Sequence, residues 1–273
     1  MNTLYISDLD GTLLNSHAEL SAYTIDVLNR LIANGMHFSI ATARTAATAL
    51  MMLENVELNI PIILMNGVLV YDFKGKEYIK KEILSDTAFT NIIHVMQEMG
   101  QSGLIYTLCG DEMKTYYETR SNKPLHDFIN EREVKYNKIF IQVDDFSSVA
   151  DDIIYFCFLD EQENIERLYS SIVKTEGVGI VKYCDIYSEN LWYLEVFSSS
   201  ASKYNAVQFL RENGRYEQII GFGDNLNDIP LFRACDECYA VANAKDELKE
   251  IANAVIESNE NDGVAKYLEQ FAK

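Results

Sequence analysis

The chain has 273 residues and sets 42 Asp and Glu against 23 Lys and Arg, for a formal net charge of -19 at pH 7. A field of that sign repels nucleic acid, whose binding rests on Lys and Arg neutralising phosphates, and no local basic patch is visible to override it. With 48% hydrophobic and 11% aromatic residues the composition excludes a disordered chain. The longest apolar runs, such as residues 153–159, fall far short of the roughly 20 residues that span a bilayer, so no membrane partner is expected.

The N-terminus reads directly into a strand, with no basic stretch or long apolar run of a secretory signal, and the expected location is cytoplasmic. The five cysteines, odd in number and irregularly spaced, suit a reducing compartment and give no disulfide framework. Cys235 and Cys238 form an isolated C-x-x-C without a second ligand pair, which reads as packing.

In chain order, residues 4–7 make a short apolar strand. Ser21 is placed to cap a helix in which Ile25, Leu28, Leu31 and Ile32 recur at helical spacing, and Gly35 ends it. An apolar run at 37–41 leads to Thr42 and a helix near 45–54, and a third run at 60–65 leads to Asn66-Gly67. This βαβαβ start predicts a doubly wound α/β fold built on a parallel sheet. Residues 68–71 and 77–83 flank a turn at Lys74-Gly75 and read as an antiparallel hairpin.

From residue 84 to 191 the pattern becomes α+β. It gives a helix at 86–99, strands near 104–108 and 112–117, a short helix near 124–132, a strand at 153–159, a helix at 161–175 and a strand at 178–183. A strand at 192–197 is read as leading back to the first pattern, which resumes with a helix at 203–212, a strand at 218–222, a short helix near 229–234 and a strand at 238–241. The expected organisation is a discontinuous core, residues 1–83 and 192–273, with residues 84–191 inserted as a second domain.

In an open parallel sheet, ligands bind beyond the carboxyl ends of the strands, so the residue on which each strand ends carries the functional signal. The first ends on Asp8 with Asp10 two residues on, the second on Thr42, the third on Asn66, and the strand after the insert on Asp224, followed by Asn227 and Asp228. Four carboxylates in one small space repel one another unless a cation joins them. With neither His nor Cys among the donors, the cation expected is Mg²⁺. Lys203 opens a helix, where the macrodipole disfavours a cation and a nearby anion compensates.

A metal, a lysine, a threonine hydroxyl and a free carboxylate at a strand end are the parts of phosphoryl transfer to an aspartate. The neighbouring Asp10 is available to protonate the leaving oxygen and then to activate water. Each motif also has an ordinary use: Asp-Gly-Thr as a turn, Asp228 and Thr42 as helix caps, Lys203 as a solvated surface charge.

Asp8-Leu9-Asp10-Gly11-Thr12-Leu13-Leu14 resembles the first motif of the haloacid dehalogenase superfamily of phosphohydrolases. Thr42 resembles its second motif, Lys203 its third and Gly223-Asp224-Asn225-Leu226-Asn227-Asp228 its fourth. The position of the insert is similar to the Cof-type, class IIB members, in which an α+β cap lies between the second and third motifs. Asn243-Ala244 and Asp262-Gly263-Val264 are similar to their C-terminal part.

The resemblance implies Asp8 as nucleophile, Asp10 as general acid and base, and Mg²⁺ held by Asp8, the Asp10 carbonyl and Asp224. It also implies Thr42 and Lys203 on the phosphate, Asn227 facing the phosphate or metal waters, and Asp228 as an outer partner of Lys203 or a metal water. The usual Thr-Gly-Arg reads Thr42-Ala43-Arg44 here, with Arg44 assigned to the substrate side, and Tyr204 stands where a glycine often follows the lysine. Asn66 and Gly67 are assigned to the substrate side as well, and Tyr106, Tyr116, Tyr117, Arg120, Asn122 and Lys123 are the insert's candidates for substrate contact.

The expected function is a Mg²⁺-dependent phosphatase for a small phosphorylated metabolite, a sugar phosphate by preference, working through an aspartyl phosphate. A phosphotransferase or phosphomutase built from the same parts, and a non-catalytic Mg²⁺-binding phosphoacceptor, stay open as alternatives. The sequence leaves the oligomeric state open.

Overall fold

The computed structural model describes residues 2–119, 121–184 and 190–270; Arg120 lies outside them. The chain runs β1 (Thr3–Ser7), α1 (Ala22–Ala33), β2 (His37–Ile40), α2 (Ala46–Met52), β3 (Ile62–Leu64), β4 (Leu69–Asp72) and β5 (Glu77–Lys81). It continues with α3 (Asp86–Met99), β6 (Leu104–Cys109), β7 (Glu112–Glu118), α4 (Lys123–Tyr136), β8 (Ile141–Val143), β9 (Asp152–Asp160), α5 (Gln162–Ile172), β10 (Val178–Cys184) and β11 (Trp192–Ser198). Last come α6 (Lys203–Gly214), β12 (Gln218–Gly223), α7 (Ile229–Ala234), β13 (Glu237–Val241), α8 (Asp246–Lys249), β14 (Ala254–Ile256) and α9 (Gly263–Glu269). Two compact units result: Met1–Lys80 with Ser202–Lys273, and Lys81–Ala201.

The first unit is built on a five-stranded sheet in the order β14-β13-β12-β1-β2, parallel throughout. Helices on both faces explain why its strands read as unbroken apolar runs: Leu4 and Ile6 of β1, Phe38 and Ile40 of β2, and Ile219 and Phe222 of β12 are buried. The Ser21 hydroxyl accepts from Thr24 N at 2.9 Å to open α1, whose Val27, Leu28, Leu31 and Ile32 turn inward; Gly35, at φ +93°, ends it. Beside β2, the parallel bridge of Ala41 to Ile63 brings in the antiparallel ribbon β3-β4-β5.

The second unit is a six-stranded sheet in the order β10-β11-β9-β6-β7-β8, antiparallel except for β7 with β8. The two-residue side-chain period sorts it into two faces. Ile105, Phe156, Phe158, Leu194 and Val196 pack with Ile92 of α3 and Leu168 of α5 in one core. On the other face Tyr155 stands edge-on to Tyr106 and stacked on Phe197, and Phe128 of α4 meets Tyr193 edge-on.

The strand at 192–197 corrects the expected boundary. As β11 it pairs with β9 on one side and β10 on the other, so it belongs to the insert's sheet, and the chain returns to the first unit at Ser202. An apolar alternating strand carries no mark of which sheet it joins; the cross-strand matches of Leu194 with Phe158 and Val196 with Phe156 decide it by completing the helix-covered core. The structure adds the short strands β8 and β14 and the helices α8 and α9 to the elements expected from the sequence.

Glu195 of β11 is buried on the aromatic face. Tyr183 OH donates to its Oε1 at 3.0 Å, while its Oε2 and the Tyr155 hydroxyl are buried without a hydrogen-bond partner. Burial holds its carboxyl above the usual 4.5 in spite of the Tyr183 hydrogen bond. Because the folded-state value is the raised one, the ionisation-linked cost is absent below pH 4.5, and stability falls as pH rises above 4.5 until the folded-state carboxyl itself ionises. Glu195→Gln, which keeps an acceptor for Tyr183, is expected to raise Tm at pH 7 and to flatten that decline in thermal melts across the same range.

Candidate active site

Asp8 follows β1 directly, and its N–H donates to Phe222 O of β12 at 2.9 Å, which holds it in the sheet. Next to it, Thr42 N–H donates to Ile63 O and Asn66 N–H to Thr42 O, tying the ends of β2 and β3 together. Asp224 follows β12, with Lys245 N–H on its carbonyl at 2.8 Å. The four strand ends named from the sequence therefore lie at one edge, and Asp8, Thr42, Asn66 and Asp228 are all buried there.

Lys203 reaches the same place from α6, whose first residue it is. It is 1% exposed, which overturns the solvated-charge alternative, and Nζ donates to Asp8 Oδ1 and to Asp228 Oδ1, each at 2.6 Å. Burial by itself lowers its pKa; Asp228 and then Asp8 outweigh that and hold it above the usual lysine value. Asp228 Oδ2 accepts from Asp224 N–H at 3.0 Å and Asn225 N–H at 3.1 Å, so this carboxylate fastens the turn that carries Asp224 while it anchors Lys203. Asn227 stands half-buried in the same turn.

Two glycines permit close approach, Gly11 to a side chain and Gly67 to backbone. Gly11 has φ +73°, and a Cβ there would stand 2.4 Å from Asp224 Oδ2. Gly67, at φ +101°, leaves 2.2 Å between such a Cβ and Ser202 O and 2.9 Å to Lys203 N. It therefore sets the close packing of the 65–67 turn against the start of α6. Gly67→Ala is expected to cost about 2 kcal/mol or more, from the left-handed backbone and the clash together; urea unfolding measures this, alongside lost activity as Lys203 is displaced.

The charge balance at this edge identifies what the site can hold. Burial first, and Asp228 second, raise Asp8 well above the usual carboxylate range. The same two causes bring Asp224 up to about 7, against the hydrogen bond from Thr12 Oγ1 at 3.0 Å. Asp8, Asp224 and Asp228 each offer an oxygen within 4.8 Å of the others. Three acidic groups share one ammonium, so the set is short of positive charge, and its all-oxygen chemistry fits a hard divalent cation. Asn66 Oδ1, buried without a partner, is a free acceptor.

The structure separates one of the four carboxylates from the others and removes one ordinary use of Thr42. The Asp10 side chain stands outside the acidic cluster, half exposed, and meets Arg44, whose guanidinium donates to both of its oxygens. Thr42 caps no helix: its hydroxyl oxygen accepts from Arg44 N–H at 3.1 Å, and α2 starts from Thr45.

Sequence reasoning missed three supports. Thr12 holds Asp224, Asn243 Nδ2 donates to Gly11 O at 2.7 Å, and Ser202 caps α6 by accepting from Asn205 N–H at 3.0 Å. The serine had a signal as a cap residue just before a helical pattern; Thr12 and Asn243 lie in the stretches of resemblance, which do not say what their side chains hold. Within the insert, Tyr116 donates to Asp151 at 2.7 Å and Asn122 caps α4 through Leu125 N–H, which are structural uses.

A family model for haloacid dehalogenase-like hydrolases matches residues 5–268. The chain belongs to the haloacid dehalogenase-like hydrolases. YxeH of Bacillus subtilis, a phosphatase by name, is 30% identical over 288 residues, covering 99% of this chain and 98% of that one. A second B. subtilis relative, the 5-amino-6-(5-phospho-D-ribitylamino)uracil phosphatase YitU, is 24% identical over 274 residues, with 97% and 95% of the two chains covered. Among solved structures, the subclass IIB sugar phosphatase BT4131 of this superfamily superposes with a TM-score of 0.74 at 18% identity, covering 100% of this chain and 99% of that one. In this hydrolase, as in that one, the fold is the α/β core with its inserted α+β segment.

Proposed function

We propose that this hydrolase is a Mg²⁺-dependent phosphatase for a small phosphorylated metabolite, a sugar or sugar-alcohol phosphate by preference, working through a phosphorylated Asp8. The observation that carries the reading is the buried Asp8–Lys203–Asp228 chain with Asp224 beside it. It puts a nucleophilic carboxylate, a fixed cation and further acidic oxygens at one strand edge. The names of YitU and BT4131 support a sugar-like leaving group.

Asp8, the Asp10 carbonyl and Asp224 would hold the Mg²⁺, with Asp228 behind them. When bound, the ion supplies positive charge that offsets the acidic cluster and the phosphoryl oxygens. Lys203, fixed by two carboxylates, and the Thr42 hydroxyl bind the phosphate and orient it toward Asp8. An Asp8 oxygen attacks phosphorus, the ester P–O bond breaks, and Asp10 hands its proton to the departing oxygen. Asp10 then takes a proton from the water that attacks the aspartyl phosphate, which returns Asp8 and frees orthophosphate.

Purified protein assayed on 4-nitrophenyl phosphate and a panel of sugar, sugar-alcohol and nucleoside phosphates tests the reading. Turnover is expected with Mg²⁺, lost in EDTA and restored by added Mg²⁺; activity that persists in EDTA, or a panel with no substrate, sinks it. Mass spectrometry of products formed with a sugar acceptor present separates hydrolysis from phosphotransfer.

A further inference from the structure

We propose that Arg44 is the positioning residue for Asp10 in the second half of the reaction, the hydrolysis of phosphorylated Asp8; this rests on the roles of Asp8 and Asp10 given above. Arg44 Nε donates to Asp10 Oδ2 at 2.7 Å and Nη2 to Oδ1 at 2.6 Å, across 34 residues of sequence. Such a parallel pair fixes the plane of a carboxylate as well as its place, which a lysine does not do. The Asp10 side chain is 49% exposed and that of Arg44 21%, so the arginine is the better held of the two. Its backbone is anchored on both sides: its N–H donates to Thr42 Oγ1 and its carbonyl accepts from Met65 N–H, each at 3.1 Å. Without this clamp, Asp10 is a solvent-facing side chain on a glycine turn, free to sample several rotamers.

The two half-reactions need different things from Asp10. In the first, an Asp8 oxygen bonds to phosphorus and the ester P–O bond breaks, its electron pair leaving on the ester oxygen. An aryl oxide is stable without a proton, so this step makes little demand on Asp10. In the second, water oxygen bonds to phosphorus, Asp10 accepts one proton of that water, and the bond between phosphorus and Asp8 breaks with its electron pair returning to Asp8. Here Asp10 must aim an oxygen at one water, and a carboxylate held by Arg44 on both oxygens keeps its remaining lone pairs in a fixed plane. A direct contact with the bound substrate, the side to which the sequence assigns Arg44, would act on the first half instead.

Rapid-quench kinetics of the Mg²⁺-loaded full chain on 4-nitrophenyl phosphate, with the phosphorylated fraction read by intact-protein mass spectrometry, distinguish the two roles. For Arg44→Met, hydrolysis of the phosphoenzyme is expected to slow about tenfold while its formation changes less than about threefold, so the phosphorylated fraction at steady state rises. Arg44→Lys is expected to fall between this variant and the wild type, and added guanidinium to restore part of the hydrolysis rate of Arg44→Ala. A phosphorylated fraction that falls in Arg44→Met overturns the proposal in favour of phosphate capture. One that stays at the wild-type level while turnover drops overturns it in favour of a structural role. Asp8→Asn and Asp10→Asn are run beside these: phosphorylation that survives Asp8→Asn, or full turnover in Asp10→Asn, overturns the underlying mechanism rather than the role of Arg44 alone.

Discussion

Asp8→Asn is expected to lower kcat by about 10⁴-fold or more, the scale on which removal of a nucleophile acts, and at the same time to leave the metal-free protein as stable as the wild type or more so. The two effects share one cause. Asp8 is buried against Asp228 and near Asp224, and burial and these neighbours push its carboxyl far up. A neutral amide of the same shape removes that repulsion and still gives Lys203 an oxygen to bond. Steady-state assays and thermal melts of the metal-free protein at pH 7 check both halves. A stable variant that still turns over would remove Asp8 from the chemistry, whereas a clear loss of stability would show that the carboxylate is held for the fold.

Lys203→Met is expected to abolish activity and to cost the metal-free protein about 3–5 kcal/mol, the scale for stripping a buried charge of its partner. Its ammonium is the cation to which Asp8 and Asp228 are hydrogen-bonded. Without it Asp8 loses the interaction that lowers its pKa, so the variant's carboxyl lies higher still. The loss should therefore shrink as pH falls and the carboxylates of both states take up protons. Added Mg²⁺ should restore part of the stability by supplying charge to the same cluster. Urea unfolding at pH 5 and pH 7.5, with and without Mg²⁺, measures this; equal losses at both pH values would contradict the electrostatic account.

The candidate site was legible to the extent that strand ends are legible. β1, β2 and β12 are apolar runs that stop at Asp8, Thr42 and Asp224, and a parallel sheet puts the carboxyl ends of all its strands at one edge; β3, which stops at Asn66, joins them through the parallel bridge of Ala41 to Ile63. Lys203 was nameable, but its burial was not, because one lysine at a helix start looks the same in solvent as in a core. The second unit was legible in its helices and long strands, whose periods are strong, and not in the sheet membership of residues 192–198.

The sequence by itself determined the parallel α/β core, the presence of an inserted α+β segment, and the residue types gathered at the carboxyl edge of the sheet, since all three follow from local periodicity and from what stands after each strand. Only the tertiary structure decided the pairings. It gave Lys203 to Asp8 and Asp228 together, Thr12 to Asp224, Arg44 to Asp10, and β11 to the insert. The physical reason is that a charge or an apolar strand carries no address: a guanidinium attracts any carboxylate within reach and an alternating strand can complete any half-buried sheet. Which one it meets depends on how segments far apart in the chain are brought together, here by backbone contacts as close as that of Gly67 with Ser202.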